Sequence, residues 1–487
     1  MDLGIFNGLQ GSRITSASLC DLLVESIEKN RLQPGDRLPS TRDIANYLGI
    51  SRTTVMKALD KLIARGFLMS SQGAGTWVAK AKNGSPDKAE GASNPAEAKY
   101  PWLDRYSDLA ATLALQSSEP CGSAQFDEMN FGSSPLDLEP LPAWRKIITR
   151  LSHNMDEIGF EANRDVFGYR PLREAIAAFL RRSKGIVCDA EQIVLASGVQ
   201  GVVSPVFTLL VRAGDLAVCE NPGFWGAREQ FHGLGADVVT VPVDEQGMVV
   251  DALSKLDRDP QWVYIASSCN EPTGVSLSQE RRQNLLKFCR ENDTAILEDD
   301  WDSDFHYSGQ APRSLFSLDT NGSVIYFYSF WRLLYPLVSV GFLVIPHKLI
   351  EVFHSYKNIW DRQFTTMEHY ALTELLNEGH VESHIRSIWK VYRRKRQALI
   401  FALSKHLLPD VTVLASGSGM HTLVRFETPL ASEFIQQCAA AAGLECASSE
   451  AYYVQAAPAN EYMMRFSHLP EEEILGRVER FASLLRG

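Results

Sequence analysis

The chain has 487 residues, 45% hydrophobic and 22% charged, with a net charge of −11. That length can bury at least one sizeable core and points to two or three domains, and the composition excludes a disordered or fibrous protein. The acidity argues against nucleic-acid binding by the whole surface, but it is unevenly spread: residues 1 to 80 hold 10 Lys and Arg against 7 Asp and Glu, leaving 38 against 52 for the remainder. A mildly basic head on an acidic body is expected, and the body is not expected to touch nucleic acid. The 8 cysteines form no C-x-x-C pair and no cluster with histidines, so reduced thiols in a cytoplasmic protein fit better than a disulfide frame or a zinc site. No secretory signal is evident at the start.

In chain order, Ser16 to Asn30 places Leu19, Leu22, Leu23 and Ile27 at helical spacing, and Pro34 and Gly35 then break the helix. Ser40 can cap a short helix that Gly49 ends. Ser51 can cap a second, with Val55, Leu59, Leu62 and Ile63 on one stripe. This predicts a helix-turn-helix. After Gly66, β-prone runs at Phe67 to Met69 and Thr76 to Val78 flank a hairpin tip of Ser70, Ser71, Gln72, Gly73, Ala74 and Gly75, which predicts a wing. The outward face of the second helix presents Arg52, Thr53, Thr54, Lys57 and Lys61. Arg can fork onto guanine, Thr can bond a base edge or phosphate, and Lys adds sequence-independent charge.

Capped helices, an SRTT start and a Gly-rich wing tip in this order resemble the winged helix of the GntR regulator family. The resemblance implies a DNA-binding domain over about residues 1–80. It also implies Arg42, Arg52, Thr53, Thr54, Lys57 and Gly73 as its DNA contacts, with Met56 standing where some members carry another basic residue.

Residues 81–125 read AKNGSPDKAEGASNPAEAK and onward with little to bury, as a linker at least partly flexible would. From about Asp127, apolar β runs alternate with amphipathic helices, the mark of an α/β domain with a largely parallel sheet. Strands are predicted at Gln192 to Leu195, Leu216 to Cys219, Asp237 to Val241, Trp262 to Ser267, Ala295 to Leu297, Val324 to Tyr328 and Val340 to Ile345. A helix is expected at Pro171 to Arg182. Further helices at Leu349 to Trp360, Val381 to His406 and Glu471 to Leu485, with strands near Val411 and Leu423, suggest a smaller C-terminal lobe. The apolar run Val324 to Pro346 is long enough to raise a membrane span, but Arg332 and Pro336 near its middle favour strand, loop and strand.

Several loops of the body suggest a ligand site. Ser197, Gly198, Val199 and Gln200 follow a strand and open a helix, where free backbone amides can hold an anion. Phe224 would put a ring beside it, and Glu298, Asp299 and Asp300 end another strand with acids that could hold a protonated ring nitrogen. In their order, FGYRPLREAIAAFL, SGVQ, NPGFWGA, EPTG, EDDWDSDF, SFWRLLYP and SVGFLVIP resemble the aminotransferase-like domain of MocR-type regulators, which join a GntR reader to a fold type I, pyridoxal-phosphate-binding body. The resemblance implies such a domain over residues 126–487, with a large lobe at about 160–380 and a small lobe at about 381–487. It also implies a homodimer acting on double-stranded operator DNA.

Carried over by position, that resemblance puts the aldimine-forming Lys at Arg332, within the motif beginning at Ser329. A guanidinium stays protonated and delocalised, so it cannot be the attacking amine. By the same carry-over, Trp331 replaces a small hydroxyl residue, Ser339 a phosphate-binding Arg, Glu271 an aromatic residue and Trp301 a Tyr. The substrate-carboxylate Arg falls at about Met463, two residues before Arg465. Asp299, Phe224 and the Ser197 to Gln200 loop keep the pattern. Two readings of Arg332 stay open: it holds an anion, or Trp301, Trp331 and Tyr335 fill the pocket while it pairs with Asp299 or Glu271. The expectation is a regulator without covalent cofactor, in which pyridoxal phosphate binds only non-covalently and a small anionic or amino-acid-like effector is sensed. A residual transaminase is the enzymatic alternative.

Overall fold

A computed structural model describes residues 6, 14–29, 31–71, 75–79, 140–154, 165–309, 311–360, 366–414, 417–454 and 457–486. The expected linker over 81–125 and the wing-tip Gly73 lie outside them. The chain divides into two compact units, Met1–Arg105 and Tyr106–Gly487.

In the first unit, α1 (Ser16–Glu28), α2 (Thr41–Leu48) and α3 (Arg52–Ala64) precede an antiparallel hairpin of β1 (Leu68–Ser71) and β2 (Gly75–Val78). The caps are those the sequence named. The Ser40 hydroxyl accepts from the Asp43 amide at 3.2 Å and the Ser51 hydroxyl from the Thr54 amide at 3.1 Å, each meeting a donor the first turn leaves without a helical partner. Leu19, Leu23, Ile44, Val55, Leu59, Leu62, Leu68 and Val78 share one buried core, so the apolar stripe of α3 faces inward. Its other face is thereby left to solvent.

The second unit continues with α4 (Pro140–His153), α5 (Arg170–Ser183), β3 (Ile193–Ser197), α6 (Gly198–Leu210), β4 (Leu216–Asn221), α7 (Trp225–Gly233), β5 (Asp237–Asp244), β6 (Gly247–Met248) and β7 (Trp262–Ile265). Then follow α8 (Gln279–Glu291), β8 (Ala295–Asp299), α9 (Leu315–Leu318), β9 (Val324–Ser329), α10 (Trp331–Leu334), β10 (Val340–Val344), α11 (Ile350–Trp360), α12 (Met367–Asn377) and α13 (His380–Leu407). The chain ends with β11 (Val411–Val413), β12 (His421–Phe426), α14 (Ser432–Ala441), β13 (Cys446–Ser448), β14 (Glu461–Arg465) and α15 (Ile474–Arg486).

Eight strands make one sheet in the order β3-β10-β9-β8-β7-β4-β5-β6. The pairs β9–β8, β8–β7, β7–β4 and β4–β5 are parallel, and β10 runs antiparallel to both neighbours. Both faces are covered, as near-continuous apolar strands require. Tyr326 and Tyr328 pack with Phe179 of α5 and Tyr392 of α13, whereas the alternating Ile325 and Phe327 pack with Val206, Phe231 and Phe353 on the other side. A four-stranded antiparallel sheet, β11-β12-β14-β13, forms the C-terminal lobe. The run Val324 to Pro346 is β9, a four-residue helix and β10. Among the described residues no helix is long and apolar enough to cross a membrane.

Candidate functional site

In the first unit, Arg42 of α2 and Arg52, Thr53 and Lys57 of α3 are exposed, on the side away from the Val55, Leu59 and Leu62 stripe. Thr54 is half-buried and its hydroxyl lies 2.8 Å from that of Ser51, so it also serves the helix start. Arg37, which the sequence reading passed over, bridges to Trp77 and lies across the wing at Gly75. A Cβ at Gly75, whose φ is +113°, would stand 2.8 Å from the Arg37 Nε, so the bare backbone there makes room for the guanidinium.

In the second unit the acids that end β8 separate by face. Glu298 is structural: it accepts from the Ser267 hydroxyl at 2.6 Å and from the amides of Leu315 and Phe316 at 2.7 and 2.8 Å. Asp299 accepts from the Tyr264 hydroxyl of β7. Burial, with Glu271 and Asp300 adding to it, pushes the Asp299 carboxyl up to about 7 against the opposing effects of the Tyr264 bond and Arg332. The Tyr264 ring sits 6.4 Å from that of Phe224. Phe224 folds back on the start of α7 because Gly226 has no side chain: a Cβ there would meet the ring at 2.5 Å.

Arg332, on α10, lays its guanidinium over Trp301 at 4.2 Å from the ring centroid, with Nε 3.9 Å from Asp302. Trp301 is fixed from behind by its indole N–H, which donates to the Cys269 carbonyl at 2.8 Å. The Asp302 side chain is wholly buried, and burial lifts its carboxyl to about 7, with Arg332 the foremost opposing influence. Glu271, also raised by burial and opposed by Arg332, accepts from the Tyr452 hydroxyl at 3.1 Å. One guanidinium thus steadies three carboxyl groups, two from the end of β8 and the turn after it and one from the loop after β7. Of the expected pocket-filling aromatics, it is Trp301 that lies against Arg332. Trp331 packs on Tyr335 at 5.2 Å between ring centroids, and Tyr335 is exposed.

Ser329 ends β9 and its hydroxyl accepts from the Trp331 amide at 3.2 Å. Ser197, exposed at the end of β3, precedes α6, whose first turn carries Gly198, Val199 and Gln200. The Gly198 amide donates to the Ser339 carbonyl at 2.6 Å, and the Ser339 amide donates to the Glu368 carboxylate. On β14, Met463 is buried with Leu423 and Tyr452, while Arg465 is ion-paired with Glu445.

The family profile described as "Aminotransferase class I and II" matches residues 127–480, and that described as "Bacterial regulatory proteins, gntR family" matches residues 15–78. The chain belongs to the aminotransferase class I and II family. It carries that domain behind a GntR head, the arrangement of MocR-type transcription regulators. It is 29% identical over 431 residues to the probable rhizopine catabolism regulatory protein MocR of Rhizobium meliloti, covering 88% of this chain and 84% of that protein. It is also 29% identical over 450 residues to the uncharacterized HTH-type transcriptional regulator YhdI of Bacillus subtilis (strain 168), covering 92% and 91%. In fold, the body is similar to LysN, an α-aminoadipate aminotransferase from Thermus thermophilus, at a TM-score of 0.67 and 23% identity, over 79% of this chain and 98% of that one.

The aminotransferase fold places this MocR-type body in the pyridoxal-phosphate family. Position 332 offers a guanidinium already stacked on Trp301 and facing acids. The first amide of α6 is engaged by Ser339, whose own amide donates to the Glu368 carboxylate. Asp299 keeps its place, but Tyr264 already donates to it. Tyr264 and Asp302 were not singled out from sequence. A buried phenol in the strand WVYI has to find an acceptor, which is the one signal available for the first.

Proposed function

We propose that this MocR-type regulator binds double-stranded operator DNA through Arg42, Arg52, Thr53, Thr54 and Lys57, with Gly73 at the wing tip and Arg37 at the wing base. In this reading it acts as a cytoplasmic homodimer, so that two readers meet repeated or inverted half-sites. Its body holds no pyridoxal phosphate through a covalent bond and works as a dimerisation platform and sensor for a small anionic or amino-acid-like effector. Any pyridoxal phosphate that enters is held non-covalently.

The observation that carries this reading is the guanidinium of Arg332 lying on Trp301 beside the buried Asp302, in the position the family gives to an amine. Incubation with pyridoxal phosphate, borohydride reduction and peptide mapping test it. The expected result is no reduced adduct on the peptide containing residue 332 and no adduct saturating at one per chain. A stoichiometric adduct at a single buried lysine would restore the transaminase reading.

A further inference from the structure

A recess lies in the body, and Arg332 is not among its lining residues. It has a volume of about 630 Å³ and opens between the end of α5, the turn after β8, residues 311–314 and the start of α13. That is the size of a metabolite site.

Its floor is a buried charged group. Lys184 donates to Asp304 at 2.7 Å and to the Ser303 hydroxyl, and stands 3.7 Å from Asp300. Asp304 is satisfied on both oxygens, since Tyr328 donates to its Oδ2 at 2.7 Å. Asp300 is not. Its Oδ2 accepts from Tyr326, but its Oδ1, on a residue only 2% exposed, has no hydrogen-bond partner among the described residues. A buried carboxylate oxygen left unmet in a polar recess calls for a donor.

The rim has the opposite character. Arg182 is committed to Glu382 at 2.6 Å, whereas Arg386 is exposed and makes no hydrogen bond or ion pair among the described residues. Among the described residues the Arg313 guanidinium reaches only the Ser317 carbonyl, at 3.1 Å. The start of the 28-residue α13, at Gly379, also faces the recess and has no side-chain cap, so its first amides add positive potential to the same wall. An acceptor at the floor, with the unbonded Arg386 and the carbonyl-bound Arg313, which has no carboxylate partner among the described residues, at the rim, is complementary to a molecule with a hydroxyl or ammonium at one end and an anionic group at the other.

We propose that this recess is a binding site for a small anionic metabolite bearing a hydroxyl or ammonium group, whose anion is held by Arg386 and Arg313 and whose donor meets Asp300. Because Asp299 and Asp300 are neighbours at a strand end, they look to opposite faces, which sets the site apart from Arg332.

Calorimetric titration of the full chain tests it with L-malate, L-aspartate and glycerol 3-phosphate, and with succinate, which has the anionic ends but no donor. The expected result is saturation at one per chain by at least one of the first three, with succinate at least tenfold weaker. The probe that binds identifies a hydroxy acid, an amino acid or a phosphorylated polyol as the class. Arg386→Ala should weaken that binding at least tenfold, and Asp300→Asn should weaken it as well. Because Asp300 is buried and its variant could misfold, the exposed Arg386 carries the decision. No saturation by any of the three probes, succinate binding as tightly as the others, or unchanged affinity in Arg386→Ala overturns the proposal.

Discussion

Arg332→Met removes the guanidinium while keeping most of the side-chain stem, and its cost follows from what surrounds it. The stacking on Trp301 at 4.2 Å is a partly desolvated cation–π contact, so its loss costs about 1–2 kcal/mol at any pH. The rest depends on pH. In the unaltered chain, Asp302 and Asp299 carry folded-state values of about 7, so between about pH 4 and pH 7 the folded form binds protons that the unfolded form has released. Stability therefore falls as the pH rises through that window and levels off above it. Without Arg332, which opposes the upward shift on Asp302, Glu271 and Asp299, those values climb further and the fall continues past pH 7. Each pH unit adds about 1.4 kcal/mol for each acid that must ionise unaided. Counting one such acid, the variant should lose about 1–2 kcal/mol at pH 6 and about 3 kcal/mol at pH 8, within the range for breaking a buried pair. Urea unfolding of both proteins at pH 6, 7 and 8, followed by near-UV circular dichroism, measures the difference. A penalty that is constant across this range, or smaller at pH 8, refutes the assignment of Arg332 as counter-charge to these acids.

Three further outcomes concern the head. Arg52→Ala should cost about 1–3 kcal/mol at the operator and relax base preference, whereas Lys57→Ala should weaken all DNA about equally and reduce the salt slope by about one, both read by fluorescence anisotropy over a salt series. Gly75→Ala forces a side chain onto a φ of +113° and into the Arg37 guanidinium, so it should destabilise the head by about 1–3 kcal/mol and weaken operator binding. An unchanged melting temperature and affinity would remove the Arg37–Gly75 contact from the wing's design.

Much of the fold was legible because buried strands leave compact apolar runs: VIYFYS and VGFLV became β9 and β10, and the caps at Ser40 and Ser51 marked two helix starts. Elements without such marks were missed. β13 is the short, half-buried Cys446–Ser448, with no alternation to read, and α12 was not separated from the region around it. At the site, replacement of the amine at position 332 was visible from the sequence, but its partner was not. Asp299 and Glu271 were the expected acids, while Asp302 comes within reach only through the turn after β8, and spacing along the chain carries no record of that turn. Arg37 was hidden in the same way, since it meets the wing across the fold.

The antiparallel seating of β10 has a mechanical result. Val340 stands beside Ser197 and Gly341 beside Ser329, so the intervening residues form a buckle with both feet stitched to the sheet. Arg332 lies between the feet, and the foot at Ser339 carries both outer ties, its carbonyl to the head of α6 through Gly198 and its amide to α12 through Glu368. A push there is absorbed at one of those two ties, and beyond Glu368 the polypeptide runs by a single turn into the longest helix described, α13.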